Sequence, residues 1–359
     1  GVPSAFDALT FAHGPAMRNR FMLSPLTNQQ SHADGTLSDD EFVWLTKRAQ
    51  GGFGLTMTCA SHVQAAGQGF PGQLGCFDDR HLAGLTRLAE GVKRYDSLAM
   101  VQLHHAGRRS PTGLIAQAPV APSDDTTTGA RALTTPEVEQ LVQDFIAAAV
   151  RCEQAGFDGV ELHGAHDYIL CQFLNSELNV RDDQYGGSLE NRSRVLFEII
   201  DGVRSQCAST FNLAVRLSPE RFGMKTNDIV EVYRHLTESG QVDFVDLSLW
   251  DVFKPAIDPD FEGQSLLELF TAINRQNTRL AVAGRLYSGA DVRRAIDAGV
   301  DIVAIGRAAI TNHDFPDQLL RNPDFAMRQL PVRRDVLRME GLGESFIDYM
   351  GNWKGFVED

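Results

Sequence analysis

Short apolar runs recur along the chain, each entered from a helical stretch or a turn and most left through Gly, Pro, Ser or His. Eight can be traced: Arg20–Leu23, Phe53–Met57, Leu98–Leu103, Phe157–Leu162, Leu213–Leu217, Val242–Leu247, Arg279–Ala283 and Asp301–Ile305. They are nearly continuous in apolar residues rather than alternating, as expected of strands covered on both faces of a parallel sheet. Helical patterns lie between them. The clearest predicts a helix with Thr135 as N-cap and Pro136 at its first position. Val138, Leu141, Val142, Phe145, Ala149 and Cys152 then recur at helical spacing, and Gly156 ends the run. The same cadence, a glycine cap leading into a buried strand, appears at Gly156, Gly240 and Gly299. Eight such units favour a single closed (β/α)8 TIM barrel over an open doubly wound sheet.

No linker or low-complexity tract divides residues 1–359, so one barrel domain is expected. The stretch 108–134, rich in Pro, Ser, Thr and Gly, is too long for an ordinary connection and reads as a lid excursion over the barrel mouth. Residues 315–359 follow the last strand and read as a terminal helix and an arm.

A net charge of −14 disfavours nucleic acid or an anionic membrane as partner, because both demand a clustered basic surface. Five scattered cysteines, none in a C-x-x-C pair, argue against a disulfide framework, a zinc site or an iron–sulfur cluster. No run approaches the roughly 18 apolar residues of a spanning helix. A cytoplasmic protein acting on small molecules is the expectation, with monomer or homo-oligomer left open.

In such a barrel the residues just past each strand share one rim, where these folds place their chemistry. Here that rim holds Ser24-Pro25-Leu26-Thr27, Ala60, Gln102 to Arg108, His163 to Tyr168, Arg216, Ser248-Leu249-Trp250, Gly284-Arg285 and Gly306-Arg307. Glycines with adjacent arginines after strands seven and eight suit a phosphate-bearing cofactor. His163 and His166 are substrate-binding or metal-ligating candidates, and with no third ligand evident nearby and Tyr168 adjacent, substrate binding is favoured. His104 and His105 are neighbours on a strand, so one must point away from the mouth. Arg216, on an otherwise apolar strand, requires an anionic partner, either a ligand or a structural carboxylate. Trp250 either walls the pocket or packs beneath the lid.

Three segments carry a resemblance. They are Gln102-Leu103-His104-His105-Ala106-Gly107-Arg108, the His163-Gly164-Ala165-His166 segment, and Asn179 to Arg192 with its Tyr185-Gly186-Gly187-Ser188 centre. Together they identify the chain as similar to the Old Yellow Enzyme family of FMN-dependent ene-reductases, over nearly its whole length. The resemblance implies bound FMN, with NADPH or NADH as electron donor and an α,β-unsaturated carbonyl compound as substrate. By position it implies that Pro25, Leu26, Thr27, Ala60 and Gln102 contact the isoalloxazine ring. Arg216 would lie beside the flavin's N1 and C2 carbonyl, and Gly284, Gly306 and Arg307 would hold the phosphate. Ser24 and Arg285 are counted with this cofactor set. His163 and His166 would bind the substrate's activating oxygen, Tyr168 would donate a proton, and Gln29 and Trp250 would border the substrate. Some family members carry cysteine in place of Thr27 and tyrosine in place of Gln29. Two alternatives differ in class: a flavin-free lyase or isomerase binding a phosphorylated substrate, and a non-catalytic flavin-binding protein.

Overall fold

The computed structural model describes residues 2–358. Its centre is a closed barrel of eight strands: β1 Phe21–Leu23, β2 Leu55–His62, β3 Leu98–His104, β4 Gly159–Gly164, β5 Asn212–Leu217, β6 Phe244–Ser248, β7 Arg279–Ala283 and β8 Ile302–Ile305. Each is parallel to its sequence neighbours, and β1 closes the ring by pairing Phe21 with Val303 and Leu23 with Ile305.

Several strands start later than the apolar pattern predicts, and the reason is shared. Asp158, Asp243 and Asp301 sit just before β4, β6 and β8, and their carboxylates accept the backbone N–H of Ala99, Leu213 and Leu280 at 2.8–2.9 Å. An acid there satisfies the N–H of the second residue of a neighbouring strand, in place of a ladder partner. At its other end β4 continues to Gly164, where His163 pairs with Arg216, so that His163 lies within the strand instead of after it. β2 runs on past Met57 to His62, with a register irregularity between Met57 and Ala60.

The long helix is Thr135–Ala155 with Thr134, not Thr135, as N-cap. A capping box explains the difference. Thr134 Oγ accepts from Glu137 N–H while the Glu137 carboxylate accepts from Thr134 N–H at 2.9 Å. Thr135 is left to donate its hydroxyl to Asp183 at 2.6 Å. Gly156 ends the helix at φ 101°, a conformation that side chains disfavour.

The barrel interior is filled by Met22, Leu55, Met57, Met100, Phe244 and Ile302, and its amino-terminal end is stoppered by Leu9 and Met17, which bridge each other. A larger apolar layer joins the outer strand faces to the helices. With one end stoppered, the carboxyl end remains as the mouth. In the 108–134 excursion, Val120–Ala121 pairs with Arg131–Ala132.

Residues after β8 form the short helices Arg307–Thr311, Phe315–Arg321, Arg334–Met339 and Glu344–Met350 rather than one helix and an arm. They are bound back onto the first helix, Asp39–Gln50, by Phe346 against Trp44 at 4.7 Å. The buried Arg48 guanidinium donates to the carbonyls of Ala309 and Glu340. Arg333 and Arg334 pair within the chain, with Asp335 and with Glu344 and Asp348.

Candidate active site

The mouth encloses a cavity of about 440 Å³ whose walls bring together Ser24, Pro25, Leu26, Thr27, Ala60, Gln102, His163, His166, Tyr168, Arg216, Trp250 and Arg307. Parallel register explains the convergence. His163 pairs with Arg216 and Arg216 with Asp246, so alternate side chains of β4, β5 and β6 stand on the same barrel-facing side.

Four sequence candidates lie outside this wall. Gln29 adopts φ 55° and turns its carbonyl toward Gly72, where an added Cβ would approach that oxygen to 2.5 Å. Gly284 is pressed beneath the Trp250–Asp251 peptide. Arg285 is exposed. Gly306 borders the cavity from behind Leu26 and Ser24 and begins the Arg307–Thr311 helix.

The floor is a buried charge cluster. Arg216 Nε lies 3.1 Å from Asp246 Oδ2, and its Nη2 donates to Ser24 Oγ at 3.3 Å. Gln102 Nε2 donates to Glu161 Oε2 at 2.8 Å. Glu161 Oε1 and Asp246 Oδ1 are buried without a conventional donor. Burial, and then the adjacent Asp246 charge, push the Glu161 carboxyl well above its ordinary range. Glu161 therefore holds a proton and offers it to Asp246, leaving one carboxylate to balance one guanidinium. Both readings of Arg216 meet here: it has a structural carboxylate and it lines the cavity.

Above the floor are two neutral imidazoles. Burial pushes both His163 and His166 well below the usual histidine value, with the Arg216 cation adding to it. Ala165 N–H donates to His163 Nδ1 at 3.2 Å, which places the ring proton on Nε2. His166 Nε2 lies 2.6 Å from Ser248 Oγ; the ring proton sits on Nδ1 when that hydroxyl donates and on Nε2 when the ring does. His166 and Asp167 both adopt φ 61°, held by Arg108, which clasps Asp167 at 2.9–3.2 Å. The Tyr168 ring is gripped from two sides, by the edge of His104 at 4.3 Å and by the Arg109 guanidinium at 4.5 Å. His104 thus packs against the site, while His105 turns away to Gln64 Oε1 at 3.0 Å.

Sequence reasoning missed the roof. Tyr349, Met350 and Trp353 reach over the cavity from the last folded segment, and Thr27 partners the Tyr349 side chain. Nothing local marks those residues, because only the fold-back of the Glu344–Met350 helix brings them there.

A family model described as NADH:flavin oxidoreductase / NADH oxidase matches residues 5–323. The chain belongs to this family. Among relatives, it is 33% identical to "Probable NADH-dependent flavin oxidoreductase YqiG" of Bacillus subtilis, over 86% of the chain and 85% of the relative. It is 32% identical to an NADPH dehydrogenase of Clostridium acetobutylicum over 90% and 93%. The Old Yellow Enzyme homologue of Zymomonas mobilis superposes with a TM-score of 0.79 at 26% identity, covering 97% of this chain and 99% of that one. The chain is accordingly an FMN-dependent NAD(P)H oxidoreductase of the Old Yellow Enzyme type.

The residues present fit FMN. Arg216 Nε lacks an aligned hydrogen-bond acceptor at the cavity floor, the apolar wall of Pro25, Leu26 and Ala60 suits a flat ring, and Arg307 stands at the other side without an acid partner among the described residues. Arg216, Gln102 and Thr27 would then hold the ring and Arg307 the phosphate. Among the described residues no helix is long and apolar enough to cross a membrane.

Behind the Thr27–Asn28 wall, Glu41 is wholly buried and bonded by Asn28, Cys59 and Ser31; burial pushes its carboxyl up to about 8. The folded state keeps a proton that the unfolded chain releases near 4.5, so this group costs stability progressively as pH rises from about 4.5 to about 8. Glu41→Gln stays neutral throughout. Its stability relative to the parent should therefore rise by up to on the order of 4 kcal/mol across that window, at about 1.4 kcal/mol per pKa unit. Urea denaturation of both proteins at pH 5 and pH 8 checks this; a pH-independent difference would refute it.

Proposed function

We propose that this enzyme reduces the activated C=C bond of α,β-unsaturated carbonyl compounds. The observation that carries the reading is a pair of neutral imidazoles beside a tyrosine, all facing a cavity floored by a buried arginine. FMN, held by Arg216, Gln102, Thr27 and Arg307, would supply the hydride chemistry that links NAD(P)H to the substrate's β-carbon. His163 Nε2–H and, in the tautomer to which Ser248 donates, His166 Nδ1–H donate to the substrate's carbonyl oxygen and draw electron density from the double bond. Tyr168 gives its hydroxyl proton to the α-carbon, so the alkene gains one hydride and one proton and leaves as the saturated carbonyl. The Arg109 guanidinium, 4.5 Å from the ring centre, holds the Tyr168 ring in place. Tyr349, Met350 and Trp353 keep water from the reacting atoms.

The test is an anaerobic visible spectrum of the FMN-loaded protein as NADPH and then cyclohexenone are added. Bleaching by NADPH followed by return of the flavin band with the enone is expected. Bleaching without return would reject enone reduction and leave a flavin reductase of another acceptor.

A further inference from the structure

Next to the cavity lies a second recess of about 400 Å³ that shares His166, Tyr168, Trp250 and Trp353 with it. Its lining is unusual in two ways. Three large aromatics are exposed together, Trp250 at 63%, Phe222 at 40% and Trp353 at 39%. Clustered exposed aromatic surface marks a place where something binds, since water contact with it is unfavourable. The recess also holds two exposed guanidiniums, Arg109 and Arg221. Among the described residues neither has an acid within 4.0 Å; Arg109 donates to the His166 carbonyl at 2.7 Å, and Arg221 lies 5.5 Å from the Trp250 ring centre.

The acid in the recess, Glu220, is already committed. It accepts from Lys254 and from Ile257 N–H. His166 is neutral, so the local charge is about two positive units in a chain whose net charge is −14. The backbone is forced as well. Arg221, Phe222 and Trp250 adopt φ 64°, 54° and 65°, conformations that non-glycine residues disfavour and that persist where surroundings impose them. Gly223, at φ 77°, fixes that loop against Asn175, which an added Cβ would strike at 2.0 Å.

We propose that this recess binds the far end of the molecule whose reactive end lies in the cavity, taking an anionic group on Arg109 and Arg221 and a flat ring against Trp250 and Trp353. Planar guanidinium forks match carboxylate and phosphate oxygens, and stacked indoles accept any flat ring. Two molecules present this chemistry: the nicotinamide donor through its phosphates and adenine, and an aryl-bearing acid through its carboxylate. The second source rests on the enone-reduction reading; the first does not.

The test uses the FMN-loaded enzyme and its Arg221→Gln and Arg221→Lys variants, following each half-reaction at the flavin band. One arm compares NADPH with 1-benzyl-1,4-dihydronicotinamide, which lacks phosphates. The other compares 4-oxo-4-phenylbut-2-enoate with its methyl ester. The quantity read is the ratio of apparent Kd for the anionic member to that for its neutral counterpart, which cancels any general loss of activity. Arg221→Gln should raise this ratio about tenfold, the scale of one lost charge-assisted hydrogen bond, and Arg221→Lys should restore part of it. A rise in the nicotinamide arm assigns the recess to the donor's phosphates, and a rise in the enoate arm assigns it to the substrate's acid. An unchanged ratio in both arms overturns the proposal. If neither enone reoxidises the parent enzyme, enone reduction fails, while the nicotinamide arm still decides the recess.

Discussion

Tyr168→Phe is expected to slow reoxidation of the reduced flavin by cyclohexenone by about 10²–10⁴-fold, the range for loss of a positioned acid. Flavin reduction by NADPH should change by less than about twofold, because that half-reaction requires no proton from the ring. The substitution is well suited to the question. Phenylalanine keeps the ring that His104 and Arg109 grip at 4.3 and 4.5 Å, so the hydroxyl alone is removed. Stopped-flow traces of the two half-reactions separate the outcomes. Equal slowing of both would show that Tyr168 shapes the site without delivering the proton.

Arg216→Met should have two effects that a second substitution separates. Removing the guanidinium leaves Asp246 buried beside Glu161 without a counter-ion, and breaking a buried pair in this way costs about 3–5 kcal/mol. It also removes the cation facing the cofactor site, which should lower the midpoint potential of bound FMN by roughly 30–60 mV, about 30 mV corresponding to 1.4 kcal/mol for two electrons. Adding Asp246→Asn removes the stranded charge. Stability should then recover in large part while the potential stays low. Chemical denaturation and potentiometric titration of the single and double variants measure the two quantities. A double variant as unstable as the single one would show that packing of the arginine stem, and not its charge, matters to the fold.

The barrel was legible because nearly unbroken apolar runs between helical patterns leave few alternatives, and the mouth residues followed from strand order. Local boundaries were less legible. Asp158, Asp243 and Asp301 look like the first residues of strands, yet each caps a neighbour's N–H, a role set by the adjacent strand. Thr134 and Thr135 are alike in sequence, and only the reach of Glu137 decides which one caps. Of the site candidates, Ser24 to Thr27, Ala60, Gln102, His163, His166, Tyr168, Arg216, Trp250 and Arg307 meet at one cavity. Gln29 was unreadable because a left-handed backbone turns it aside, and nothing in its neighbours announces φ 55°. Tyr349 and Trp353 were unreadable for the opposite reason: they arrive from a segment with no strand-end position. Asp246, the partner of Arg216, stands in a strand of ordinary appearance and is found only through register.

The roof over the cavity has a consequence for how the protein is made. Its floor and walls come from residues 24 to 307, whereas Tyr349, Met350 and Trp353 are added by the ribosome only afterwards. Translation therefore produces an open cup before it produces the cover. The residues that floor the cavity and those that cover it are accordingly separated in order of synthesis, the cover coming from a segment that lies after the eighth strand.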